Sequence, residues 1–330
     1  MSLQSLFRKF HDSIKLRRLV ENSELIEKRD RVLNRLRENL KKNYSVTFTD
    51  FPQGSYAMDT GIKPLDDDYD IDIGIILNNV YVSSAPYRDR SRDIDLKTIK
   101  GWVYTSVESH TSQVEWRRPC ITVFYKEAGE IIYHVDLAVL VRDAQNPEQL
   151  YLALGKQHES LETCEWQPDD RQSFMTAIEQ KCSGEDGAQF RRVVRYLKRW
   201  KDENFPKNGH AAPTGLSLTV AAYNAFKPQR TTDYYGKVSY DDLAATLTVA
   251  QSLYASFRQT WGSSSSNLVH TISLTFPFAP RDDVFAKMTQ HQQEELYQRL
   301  GQLIGNLEQA KRSDNATYLR KAFGSEFPLA

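Results

Sequence analysis

Near its start the chain places apolar side chains at three- and four-residue steps, and soon afterwards at two-residue steps. Residues 4–20 and 22–42 carry the helical spacing. In the second segment Leu25, Ile26, Val32, Leu33, Leu36 and Leu40 form one stripe, and Arg29, Arg31, Arg35 and Lys42 cover the rest as a solvated face. Ser45 to Phe51 alternates and predicts a strand. Tyr69 to Leu77 alternates too, with Tyr69, Ile71, Ile73 and Ile75 on one face and Asp70, Asp72 and Gly74 on the other. Residues 79–95 are polar and predict a loop, and Asp95 to Ser109 a helix. Cys120–Tyr125 and Ile131–Val141 read as strands of a hairpin turning at Glu127–Glu130.

From Gly184–Gly187, read as a connector between lobes, the pattern turns helical. Phe190, Val193, Val194, Leu197 and Trp200 form a stripe, and Arg191, Arg192 and Arg199 are assigned to a solvated face. Ala212 to Tyr223 reads as a buried helix whose start is marked by Pro213 and Thr214. Asp241 to Phe257 predicts a helix, Gly262 to Asn267 a Ser-rich loop, Ile272 to Phe278 a short strand or extended piece and Asp282 to Ala310 a long helix. The tail, Phe323 to Ala330, has too little apolar surface to fold alone and is expected to be mobile unless docked.

Composition narrows the class. The 330 residues suffice for two lobes and a sizeable core, and 40% apolar with 26% charged is ordinary for a soluble globular chain. Lys plus Arg and Asp plus Glu both number 43, so the basic excess of a dedicated nucleic-acid binder is missing. No apolar run approaches a membrane span and no signal peptide is read, so a cytoplasmic protein with no membrane partner is expected. Cys120, Cys164 and Cys182 form no CxxC pair and fit reduced thiols, and the seven histidines show no zinc spacing.

Chemistry concentrates between Phe51 and Gly74. Gly54-Ser55 makes a turn that can offer backbone N–H groups to phosphates, and Asp70 and Asp72 follow on one strand face. Two adjacent carboxylates repel, and a hard divalent cation relieves this; Mg2+ takes carboxylates together with substrate phosphates. An EF-hand is excluded, because counting from Asp66 places Ile71 and Leu77 where that loop needs Gly and Glu. Asp136 is the sole acid in an eleven-residue apolar stretch and needs a partner, either an Arg or backbone N–H groups or, as favoured here, a metal shared with Asp70 and Asp72. Its strand face also carries His134 and Ala138. Lys198, at the border of its helical stripe, can bury its stem and contact phosphate. The helix start at Thr214 offers either an anion site or simple capping.

Gly54-Ser55, Asp70-x-Asp72 and the distant Asp136 together resemble the signature of polymerase-β-like nucleotidyltransferases. More finely, Gln53-Gly-Ser-Tyr56, Tyr69-Asp-Ile-Asp-Ile-Gly74, Val193 to Trp200, Pro213 to Leu218 and Lys321 to Phe327 resemble bacterial CD-NTases, the cyclic GMP-AMP synthase/dinucleotide cyclase-like enzymes of CBASS anti-phage systems. Thr214 departs from the pattern, where many relatives carry Ser, but keeps the hydroxyl.

The resemblance implies an α/β (α+β) fold. A nucleotidyltransferase lobe with a mixed sheet spans 1–183, a helical nucleotide-binding lobe spans 184–330, and the active site lies in the cleft between them. It implies synthesis of a cyclic di- or trinucleotide from NTPs, ATP or GTP, with pyrophosphate release. Asp70, Asp72 and Asp136 would be catalytic and hold two Mg2+ ions, with Mn2+ as the alternative. Gln53, Gly54, Ser55, Tyr56, Lys198, Thr214 and Ser217 would bind nucleotide. The cyclic product would act on a CBASS effector. A ubiquitin-transfer-like partner would act at Ala330, and no DNA activator is implied, since no zinc-binding insertion resembles that of the animal synthase. Two rivals remain: a tRNA- or protein-modifying or toxin-type nucleotidyltransferase, and an inactive nucleotide sensor.

Overall fold

The computed structural model describes residues 2–16, 23–65, 69–83, 94–206, 212–262 and 267–329. Two helices, α1 (Leu3–Ile14) and α2 (Ser23–Tyr44), precede strand β1 (Phe48–Pro52), the one-turn helix α3 (Gly54–Ala57) and the long strand β2 (Tyr69–Val82). There follow α4 (Leu96–Val107), β3 (Gln113–Trp116), β4 (Ile121–Glu127), β5 (Glu130–Asp143), β6 (Leu150–Leu154) and β7 (Glu165–Asp169). The remainder is mainly helical: α5 (Arg171–Gln180), α6 (Gly184–Asn204), α7 (Gly215–Ala225), α8 (Asp242–Ala255), α9 (Gln290–Ser313) and α10 (Thr317–Phe323). Two small hairpins interrupt it, β8 (Arg230–Thr232) with β9 (Val238–Tyr240), and β10 (Arg258–Trp261) with β11 (Leu268–Thr271).

The main sheet runs β1-β2-β5-β4-β3, and the far half of β5 pairs with β6, which pairs with β7. Only β2 and β5 are parallel; every other pair is antiparallel. The β4–β5 hairpin forms at the predicted place, and Ala128 and Gly129 both take positive φ there, as a tight hairpin turn requires. The back of the sheet buries Ile71, Ile73, Ile75, Val135, Leu137 and Val139 against α2 and α4. A second core joins α1 and α5 to α6–α10 around Phe190, Val193, Leu197 and Trp200.

Several expectations are corrected. α1 stops at Ile14 because Lys15 turns extended and bridges Ile62; residues 17–20 lie outside the described residues. The expected loop at 79–95 loses its first part to β2, which runs through Val82, and 84–93 lie outside the described residues. Gly184–Gly187 is no connector but the first turn of α6. Of the strand or extended piece expected at Ile272–Phe278 the second is found, with one bridge, Thr275 to Asp283. The last long helix begins at Gln290, where Thr289 and Gln292 form a capping box, and not at Asp282. Most of the Ser-rich loop, 263–266, lies outside the described residues.

The arginines of α6 are the largest correction. Arg192 and Arg199 are 2% and 1% exposed, far from a solvated face, and Arg191 is only partly exposed. The tail is docked too. Phe323 and Phe327 are fully buried against Phe7 and Phe10, and Arg320 Nε donates to the Phe327 carbonyl at 2.9 Å. Ala330 lies outside the described residues.

Candidate active site

Strand register assembles the acids. β2 and β5 pair in parallel with Asp70 opposite His134 and Asp72 opposite Asp136, so the four side chains form one patch on the face away from α2 and α4. Thr122, beside Asp136 on β4, donates its hydroxyl to Asp136 Oδ1 and orients that carboxylate. One ligand atom each from Asp70, His134 and Asp136 lie within 4.8 Å of one another, close enough to share an ion. Burial and the Asp70 and Asp136 charges push the Asp72 carboxyl up to about 7. Asp136 is pushed upward as well, by burial first and then by Asp70. Carboxylates held together against their own repulsion are a donor set that suits a hard divalent ion, so the residues fit the metal that the resemblance implies.

The Gly-Ser turn sits directly over this patch. Gly54 has φ of 65°, and a Cβ there would lie 1.7 Å from Asp72 Oδ2, so only glycine allows the turn to approach the carboxylate. The Gln53 N–H donates to the Asp72 carbonyl at 2.9 Å. Gly74 is needed for a similar reason, since a Cβ there would meet the Phe51 ring at 2.2 Å and Gln53 Nε2 at 2.6 Å. The side chains of Gln53 and Tyr56 are packed inside, at 3% and 7% exposure. Burial raises the Tyr56 hydroxyl pKa, with the Asp70 charge adding to it.

Helix α6 reaches the same turn from the other core. Lys198 Nζ donates to the carbonyl and hydroxyl of Thr60 at 3.1 and 3.2 Å, and the Thr60 N–H donates to the Ser55 carbonyl at 2.9 Å. Burial, with Arg195 and Lys201 nearby, lowers the Lys198 ammonium to about 7. On its other side Lys198 packs on Gly215, where a Cβ would lie 3.3 Å from Lys198 Cε. That glycine opens α7, capped by Thr214, whose hydroxyl accepts the Ser217 N–H at 3.0 Å. The Ser217 hydroxyl is buried and donates to the Thr214 carbonyl at 2.8 Å, so both hydroxyls serve the cap. Ser55, Lys198 and Thr214 thus follow one another in space, as do Gly54 and Asp72.

Two contributors escaped the sequence reading. Thr122 gives no signal without knowing that β4 neighbours β5. His134 was visible on the Asp136 face, but only the parallel register brings its Nε2 to 3.2 Å from Asp70 Oδ1.

The folded architecture is a mixed sheet with converging acids beside a helical core. Residues 49–140 match the family model of the cyclic GMP-AMP synthase DncV-like nucleotidyltransferase domain. A cyclic GMP-AMP synthase of Escherichia albertii is 25% identical over 243 residues, 69% of this chain, and the match spans about half the length of that relative (49%). Among solved structures, the Bradyrhizobium diazoefficiens CD-NTase CdnG in complex with GTP superposes with TM-score 0.68 at 16% identity, covering 98% of this chain and 95% of that one. Vibrio cholerae DncV in its apo form gives TM-score 0.66 at 16% identity, covering 99% and 96%. CdnC of E. coli MS115-1 with ATP gives 0.64 at 18% identity, covering 99% of both chains. The chain is thus similar to the bacterial CD-NTases: it shares their fold over nearly its whole length, and residues 49–140 match the DncV-like nucleotidyltransferase domain. Among the described residues no helix is long and apolar enough to cross a membrane.

Proposed function

We propose that the protein is a metal-dependent nucleotidyltransferase that joins NTPs and closes them into a cyclic di- or trinucleotide signal for anti-phage defence. The observation that carries this reading is the convergence of Asp70, Asp72 and Asp136 beneath the Gly54 turn, with Lys198 bound to the same turn through Thr60. Asp70, Asp72 and Asp136 would hold divalent ions, Mg2+ or Mn2+, which when bound supply charge neutralisation at the reacting phosphate and acidify the acceptor hydroxyl.

The chain's own groups divide the remaining work. Asp136, oriented by Thr122, accepts the proton of an acceptor ribose hydroxyl. That oxygen bonds to the α-phosphorus of the donor NTP as the bond to the bridging oxygen breaks, and pyrophosphate leaves. Ser55 and its N–H would hold the departing phosphates, and Lys198 would add positive charge once it takes up a proton. A second round between the ends of the linear product closes the ring. GTP in the CdnG structure and ATP in the CdnC structure support purine nucleotides as substrates. The division into lobes at 183/184 belongs to this reading, with α1 packed on the helical side.

Incubation with labelled NTPs and mass spectrometry of the products tests it. Small phosphatase-resistant cyclic products are expected. Label on tRNA or protein would support the modifying rival, and no turnover at all the inactive sensor.

A further inference from the structure

In the patch beneath Gly54, a nitrogen donor stands beside Asp70 and Asp136. His134 lies opposite Asp70 in the parallel register and two residues before Asp136 on β5, so it shares their face. Its Nε2 is 3.2 Å from Asp70 Oδ1, and among the described residues Asp70, His134 and Asp136 are the group whose donor atoms come within 4.8 Å of one another. Asp72 lies on the same face but directs Oδ2 against the Gly54 backbone. The imidazole is partly buried, and the Phe124 ring lies against it at 5.8 Å and 37°. A ring braced in this way loses little freedom on ligating an ion.

We propose that His134 is a ligand of the ion held by Asp70 and Asp136, and that its nitrogen tilts the site from Mg2+ towards Mn2+. The inference rests on the reading of this patch as a metal site. Mg2+ is hard, holds oxygen donors and keeps several waters, so an imidazole adds little to its binding. Mn2+ accepts the same carboxylates and, as a transition-metal ion less hard than Mg2+, gains more from an imidazole nitrogen, even though it stands lowest among the first-row divalent ions. A site of two carboxylates and one imidazole therefore discriminates by donor type, without any change in the strand geometry.

The test uses Mn2+ alone with the full-length protein. Binding is followed from the loss of the free-ion electron paramagnetic resonance signal, and coordination from nitrogen modulation in the spin-echo decay. Wild-type protein should show a directly bound nitrogen whose frequency changes when the histidines are labelled with 15N, which needs no substitution. His134→Ala should lose that modulation and weaken Mn2+ binding by at least the roughly tenfold typical of lost support at a metal site, with Mg2+ binding nearly unchanged. His134→Asn, which keeps a polar group of similar reach, should behave likewise and guards against misfolding of the alanine variant. Mn2+ bound by the wild type without nitrogen modulation overturns the role of His134 and leaves the metal site standing. Failure of the wild type to bind Mn2+ overturns both.

Discussion

On α6, Arg192 meets both oxygens of Asp242 at 2.7 and 3.0 Å, with Tyr196 and Gln189 completing that carboxylate's contacts. Arg195 donates to the carbonyl of Gly61 and to the carbonyl and side chain of Asp59, and Arg199 to the carbonyl of Lys63. On the sheet, Asp70, Asp72 and Asp136 face one another instead, and burial, with their mutual repulsion added, raises the carboxyls of Asp72 and Asp136. Both regions take charge out of water, although Asp70 at the sheet's edge of the patch stays half exposed. The helix answers Arg192 and Arg195 with several of the protein's own oxygens and Arg199 with one carbonyl, whereas the sheet leaves like charges together. A charge cluster satisfied from within holds the fold; one held against its own repulsion is arranged for something that arrives from outside.

The largest effect should come from breaking the sheet's side of the contrast. Asp70→Asn with Asp72→Asn should cut nucleotide turnover by more than about a thousandfold, roughly 4 kcal/mol of barrier, while the metal-free protein melts no lower than wild type. Turnover near the wild-type rate in a radiolabel assay would remove the metal mechanism. The helix should respond in the opposite sense. Arg192→Ala strands Asp242 in the core and should lower unfolding free energy by about 3–5 kcal/mol in a denaturant titration. A loss under 1 kcal/mol would mean that the pair is solvated after all.

Lys198 lies between the two cases, since it is buried and, among the described residues, hydrogen-bonded to the neutral oxygens of Thr60. Lys198→Ala should weaken NTP binding by about 1–3 kcal/mol, the range for hydrogen bonds to charged groups, as measured by calorimetry. Undiminished affinity would reduce Lys198 to a strut for the turn.

The smallest effect is in pH. Asp72 is raised to about 7 from an ordinary 3.8, so the folded state keeps a proton that the unfolded chain releases. Its contribution is therefore fully present below pH 3.8 and lost as pH rises through about 7. In metal-free protein, the melting temperature of Asp72→Asn minus that of wild type should stay level in acid and climb across this window. A flat difference would place Asp72 in ordinary solvent.

The sequence carried one side of this comparison better than the other. Alternation at Tyr69–Leu77 already placed Asp70 and Asp72 on a common face away from Ile71 and Ile73, because a strand's period is local. The lone acid in an apolar strand likewise marked Asp136. The arginines were misread because helical period gives only the side of α6, and here α1, α8 and the 59–63 segment cover its polar side as well. Whether the tail docks was not legible, because its eight residues hold no sign of the pocket between Phe7 and Phe10 that receives Phe327. The start of α9 was placed too early because acidic residues at Asp282 and Asp283 resemble a helix start, yet Asp283 caps a turn at Phe285.

The parallel joint between β2 and β5 has no hairpin to set its alignment, so its two faces compete to choose it. Like charges about 4 Å apart at the protein surface cost around 4 kcal/mol, and this opposes the alignment that puts Asp72 beside Asp136. Ile71, Ile73 and Ile75 gain roughly 1.5–3 kcal/mol each on burial, and a slip by one residue would turn all three into water. The greasy face therefore decides, and the acids are carried into company by residues that never touch a substrate. Shaving Ile73 to alanine should thus loosen catalysis from behind, through a strand that slides, while every acidic group remains in the sequence.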